Sequence, residues 1–251
     1  MTLFSLGKIF SSKMPAPLTP VTPTHIYSIT LVYSGATRVK LQYNTDICQM
    51  NEKSVYTINR SQVLVNGKPA SNALAGDLAA RCGSVIYPLQ VQVGDSGDIL
   101  LAWNYTEIRQ RWQAQETQLL QYFTGEDAIE YIAATADTMN DPDRFLQSIR
   151  QDLFLRTYFH LLRGSKRVAY TLRPFAPPLL FDITQQRLAG GDIHQHGQCD
   201  NGSLEIKASF MKGQAFLRLI EGRWNQGEQE VALRAFCLTE EDAPLKTEQH
   251  G

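Results

Sequence analysis

A chain of 251 residues, 43% hydrophobic and 20% charged, has the profile of a globular protein large enough to bury a substantial core. Its formal charge of −1 removes the bulk electrostatic argument for nucleic-acid binding and supplies no polybasic anchor for anionic lipid. The four cysteines, Cys48, Cys82, Cys199 and Cys237, form no CxxC pair and are too sparse for a disulfide framework, so they read as buried or idle thiols.

The chain opens on MTLFSLGKIFSSKMP. Gly7 and Lys8 interrupt its apolar run and no A-x-A-like site precedes Pro15, so it does not read as a secretory signal and a cytoplasmic location is expected. No later stretch approaches the roughly eighteen uninterrupted apolar residues of a spanning helix. At helical spacing Leu3, Leu6 and Phe10 share a face. With Phe4 and Ile9 they form an apolar cluster suited to docking on a protein partner or on a second copy of the chain. Pro15, Pro17, Pro20 and Pro23 then fix φ and remove donors, so residues 1–24 read as an apolar arm on an extended tether.

Strands begin at His25. Residues 25–33 and 37–43 flank a turn at Ser34-Gly35-Ala36, and Val39, Leu41 and Tyr43 alternate with Arg38, Lys40 and Gln42. That period of two predicts a half-buried antiparallel hairpin. Residues 55–65 alternate in the same way up to Asn66-Gly67, a strong turn signal. A short helix is predicted over 71–81, with Ser71 as N-cap and Gly83 as stop. A second hairpin pairs 85–93 with 99–103.

The period then lengthens. Ile108, Trp112, Leu119 and Phe123 fall on one helical face, which Thr124-Gly125 ends. A second helix, 126–137, carries Ile129, Ile132 and Ala133 on a common face. The third starts with Asp141 as N-cap and Pro142 at the first helical position, and stops at Arg163-Gly164. Because 153–162 is apolar on more than one side, this helix should be the most buried. Strands return over 167–173, 179–184, 204–210, 214–221 and 230–238, before a polar tail at 239–251.

The best metal candidates are His194, His196 and Cys199 within Asp192-Ile-His-Gln-His-Gly-Gln-Cys-Asp200, since imidazole and thiolate are zinc donors. Two histidines two apart supply only two ligands, and Gly197 with Asn201-Gly202 reads as a polar turn, so no tightly bound metal is expected. His160 could serve as a general base beside Asp152 or Tyr158. With no Ser or Cys nucleophile in a recognisable elbow, a structural role near a helix end is preferred. Glu107, Glu116, Glu126, Asp127 and Glu130 read as solvated or dipole-complementing acids. Arg60, Arg163, Lys166 and Arg167 could form a small cationic patch. No glycine pattern matches a phosphate-binding loop.

Strands, a run of helices, then strands again favour an α+β fold. We expect a largely antiparallel, curved sheet, or two smaller sheets, from the N- and C-terminal segments packed over three central helices. The expected organisation is an arm (1–24), one composite domain (25–238, β-rich 25–103, helical 104–163, β-rich 166–238) and a tail (239–251). Two separate β-domains joined by a helical connector are the alternative. No catalytic residue and no cofactor are expected. The functional expectation is a non-catalytic cytoplasmic binding or assembly protein acting through its arm and sheet edges, with self-association or a protein partner. A small-ligand carrier or enzyme with an apolar pocket between sheet and helices is the other reading.

Overall fold

Period-two patterning does build the sheet. The structure, a computed structural model, describes residues 18–52, 54–164, 166–172, 178–188, 191–211 and 216–238. Among these, twelve strands form one antiparallel sheet: β1 His25–Ser34, β2 Val39–Gln49, β3 Val55–Val65, β4 Lys68–Pro69, β5 Leu89–Val93, β6 Ile99–Ala102, β7 Arg167–Tyr170, β8 Leu179–Arg187, β9 Ile193–Cys199, β10 Gly202–Phe210, β11 Leu217–Gln226 and β12 Gln229–Leu238. Their order is β6-β5-β3-β2-β1-β12-β11-β10-β9-β8-β7, with β4 paired to β3, and the sheet does not close on itself. The two strand-rich stretches meet where β1 lies beside β12, with Tyr27 opposite Cys237 and Leu31 opposite Leu233. Alternate residues point inward: Tyr27, Ile29 and Leu31 on β1, Leu89, Val91 and Val93 on β5, and Leu204, Ile206 and Ala208 on β10 are all buried.

Five α-helices occupy the described residues, one before the central block and four rather than three within it: α1 Leu74–Ser84, α2 Tyr105–Tyr122, α3 Glu126–Asn140, α4 Pro142–Arg150 and α5 Leu153–Arg163. The expected third helix is two. Asp141 caps α4 as read, accepting from the N–H groups of Asp143 and Arg144, but Asp152 caps a new helix by accepting from Leu155 N at 2.9 Å. An aspartate that satisfies the free donors of a fresh first turn outweighs the continuous apolar run across it. Further upstream Ser71 caps nothing, because Ala70–Asn72 is a single 3-10 turn and α1 starts three residues later than predicted. On α3, Ile132 is buried but Ile129 stands 45% exposed.

Eight of the eleven residues of α5 are buried, as expected of a helix apolar on most sides. Tyr27 of β1 packs on Phe154 and Tyr158, and Tyr56 of β3 on Phe159, with ring centroids 4.9–5.7 Å apart. Arginines on the last two helices reach the terminal strands. Arg150 donates from Nε to Ile99 O at 2.7 Å and from Nη2 to Leu100 O at 3.4 Å on β6. Arg156 donates from Nε to Ala169 O of β7 at 3.2 Å and pairs through Nη1 with Asp98, just before β6, at 2.6 Å. Carbonyls on both end strands of the sheet thus accept from guanidiniums on α4 and α5, which blunts edges that would otherwise template strand addition.

Candidate functional site

An inward-facing arginine in a sheet needs a partner, and Arg60 finds one across 92 residues. It follows Tyr56 and Ile58 on the inner face of β3. Its Nη2 pairs with Asp152 Oδ2, while its guanidinium lies 4.2 Å from the ring centroid of Tyr43 and 5.2 Å from that of Tyr87. Asp152 therefore does two jobs: one oxygen caps α5 and the other holds Arg60. Burial opposes the Arg60 charge, but Asp152 and the two phenols outweigh it and raise its pKa further. Burial, reinforced by Asp152, raises Tyr43 well above the usual phenol range, and Tyr87 is pushed up to about 12 chiefly by burial.

Beside this cluster, over the N-terminal end of α5, lies a cleft of about 550 Å³. The β1–β2 turn supplies Tyr33, Thr37 and Val39; Gln151 comes from the junction of α4 and α5, Leu172 from the segment after β7, and Val231 from β12. Tyr33 links cleft and cluster: burial first, then the Asp152 charge, raise its pKa, with Arg60 pulling the other way. Leu172 and Val231 are buried, whereas Val39, expected in the core, is 38% exposed at the cleft mouth.

At neutral pH the cluster holds protonated phenols and a guanidinium already matched to a carboxylate. The phenols and the guanidinium do not accept a proton readily, so they suit holding a molecule by shape and hydrogen bonds more than acid–base chemistry.

The residues singled out from sequence are dispersed. His194 and His196 stand on the outer face of β9 with ring centroids 4.1 Å apart, and His194 Nε2 lies 3.0 Å from Glu205 Oε1. Lys207 Nζ also reaches Glu205, at 3.0 Å, and hydrogen bonds from Lys207 and His194 lower the Glu205 pKa. Cys199 is an odd number of residues from both histidines, so strand parity sends it to the opposite face, beside Gly202. No three His, Cys, Asp or Glu side chains converge as a metal set among the described residues.

His160 is 1% exposed, and neither ring nitrogen has a hydrogen-bond partner among the described residues. It sits next to Gly97 of the β5–β6 turn, near Arg156 and Asp98, and at the opposite end of α5 from Asp152. The supposed cationic patch also separates: Arg60 pairs with Asp152, Arg167 with Asp182 at 2.7 Å, and Arg163 donates to Ser54 and Tyr56. Glu107, Glu126, Asp127 and Glu130 are exposed and Glu116 is half-buried. Leu3, Phe4, Leu6, Ile9 and Phe10 lie outside the described residues.

No protein-family model and no curated protein matches the chain. A solved structure described as "Lipid-protein interactions in lipovitellin" is similar over 86% of this chain and 25% of that one, at 8% identity and a TM-score of 0.40. The chain thus spans about a quarter of the length of the chain it resembles. A likeness of this degree carries no functional argument. Among the described residues no helix is long and apolar enough to cross a membrane.

Proposed function

We propose that this chain is a non-catalytic binding protein that takes a small neutral ligand, apolar on one side and hydrogen-bonding on the other, into the cleft over the N-terminal end of α5. One observation carries the reading: a cleft of about 550 Å³ combines apolar Val39, Leu172 and Val231 with Tyr33, Thr37 and Gln151, with Glu230 as its one charged lining residue among those described, beside a cluster of perturbed titratable groups. A sheet that wraps α5 would suit this role. Arg156 joins the β5–β6 turn to β7, at opposite ends of the strand order, so α5 bridges the gap, and the cleft takes Gln151 from just before this helix.

Protein-observed NMR with a panel of small neutral amides and alcohols tests the proposal. Saturable shifts are expected at Tyr33, Thr37, Leu172 and Val231, and should be lost in Val39→Trp, whose indole covers the mouth. Saturable shifts elsewhere only, or shifts that survive Val39→Trp, would sink it.

Assembly through the N-terminal arm is a second reading, favoured by how the root of the arm is held. Leu18 packs on the Cys48, Met50 and Val55 cluster, Pro20 bridges Met50, and Val21 N donates to Gln49 O at 2.9 Å. Leu18 to Val21 are therefore held on the end of β2, and the apolar cluster at Leu3–Phe10 precedes them in the sequence. The capped carbonyls of β6 and β7 shift the weight of this reading from sheet edges to the arm. A chain starting at Leu18 should melt within a few degrees of the full chain and lose any self-association seen by light scattering. An unchanged mass distribution, or collapse of the fold, would count against the arm.

A further inference from the structure

At the other end of α5 the inner face opens into a second cavity, of about 390 Å³. Four of its walls are rings: His25, Tyr56, Tyr158 and Phe216, with Ile47 and Leu162 between them. His25 and Phe216 stack with ring centroids 3.6 Å apart. Burial lowers the His25 pKa, so near neutral pH its ring is uncharged and adds to the aromatic lining. Arg163, the residue after Leu162, is not part of the lining but reaches it through Tyr56: its Nη2 donates to Tyr56 Oη at 3.5 Å and to Ser54 Oγ at 3.1 Å.

Both of those partners are neutral. Arg163 belongs to no ion pair among the described residues, as is also true of Arg38, Arg109, Arg111, Arg150, Arg187, Arg218 and Arg223; what sets it apart is its hydrogen bond to a ring that lines the cavity. A guanidinium carries five N–H donors in a planar fork that matches a carboxylate. The competing explanation is that Arg163 only complements the C-terminal end of α5, which Gly164 closes in the left-handed conformation at φ 75°. That role needs no ring-lined cavity beside it and no hydrogen bond to a tyrosine that lines the cavity.

We propose that this cavity binds an aromatic carboxylate, its ring among Tyr56, Tyr158 and Phe216 and its carboxylate on Arg163. The site is separate from the cleft over the N-terminal end of α5 and does not depend on it.

Phenylpropionate and its neutral counterpart phenylpropanol, titrated into the full chain by NMR, test the assignment. Phenylpropionate should bind saturably, shift Tyr56, Tyr158 and Phe216, and bind more tightly than phenylpropanol. Arg163→Gln should weaken phenylpropionate about tenfold, the worth of one charge-assisted hydrogen bond, while leaving phenylpropanol unchanged. The phenylpropanol arm thereby reports that the variant is folded. Arg163→Lys should retain most of the preference for the anion, Leu162→Trp should abolish binding of both probes, and Val39→Trp, in the other cleft, should alter neither. The proposal is overturned by equal affinity of the full chain for the two probes, by Arg163→Gln binding phenylpropionate as the wild type does, or by loss on Val39→Trp with retention in Leu162→Trp.

Discussion

Trp112→Ala should destabilise the protein by about 3–5 kcal/mol, the range for deleting a fully buried large aromatic side chain. Trp112 is 0% exposed on α2, and it belongs to the same core cluster as Tyr27 of β1, Phe159 of α5 and Trp224 of β11. The loss is a large share of the roughly 5–15 kcal/mol that holds an ordinary domain folded. Because that cluster spans both strand-rich stretches, the loss should fall on them together. Denaturant unfolding followed by circular dichroism and by the fluorescence of the remaining tryptophans can check this, since Trp224 reports from the C-terminal strands. Both signals should shift to the same lower midpoint in one transition. Two resolved steps, only one of them moved by Trp112→Ala, would show that the strands do not fold as one body.

Acidification should cost nearly as much. Burial, aided by the Arg156 charge and only partly offset by Asp98, lowers the His160 pKa to about 4 from its ordinary 6.5. The unfolded chain therefore takes up this proton first as pH falls. Stability from the neutral ring is complete above pH 6.5, declines between 6.5 and about 4, and is gone below. At about 1.4 kcal/mol per pH unit this amounts to roughly 3 kcal/mol. Asp98 extends the decline: burial works against its charge, but hydrogen bonds from Ser96 and Arg156 win and hold its pKa below 3.8. Its contribution is present above that value and lost as pH falls through its folded pKa. In urea melts between pH 7 and 4, His160→Phe should flatten the decline, the phenyl ring filling the site beside Gly97 without titrating. Parallel curves for the two proteins would mean that His160 is not the buried titrating group.

Much of the architecture was written locally, and so could be read. Val91 and Val93 alternate with glutamines, Ile108 and Trp112 repeat at helical spacing, and Asp141-Pro142 carries its cap and its first turn in two adjacent residues. The break before α5 was harder, because 145–162 is apolar on both sides of it and a single aspartate decides the matter. The cleft was not visible at all. Arg60 and Asp152 are 92 residues apart, and only the sheet brings them together. One signal was available and unused: Arg60 shares the inward parity of Tyr56 and Ile58, and an arginine in that position requires a carboxylate or an aromatic face. The same parity argument, applied to His194, His196 and Cys199, separates these candidate metal donors without any structure, in line with the expectation of no tightly bound metal there.

The ring-lined cavity takes Tyr158 and Leu162 from α5, and the cleft takes Gln151 from just before it, so both are tied to α5 being held between the two ends of the sheet. Arg156 is the bridge, contacting Asp98 before β6 and Ala169 in β7, and Asp152 fixes the start of the helix against β3. If that is so, α5 opens only when the whole body opens. Native-state hydrogen exchange reads this directly, since amides that open only globally share one free energy. The amides of Tyr158, Phe159 and Leu161 should exchange with the same free energy and denaturant dependence as those of Ile29 on β1 and Leu233 on β12. Exchange of the α5 amides by a separate, lower-energy opening, while β1 and β12 stay protected, would contradict a sheet organised around this helix.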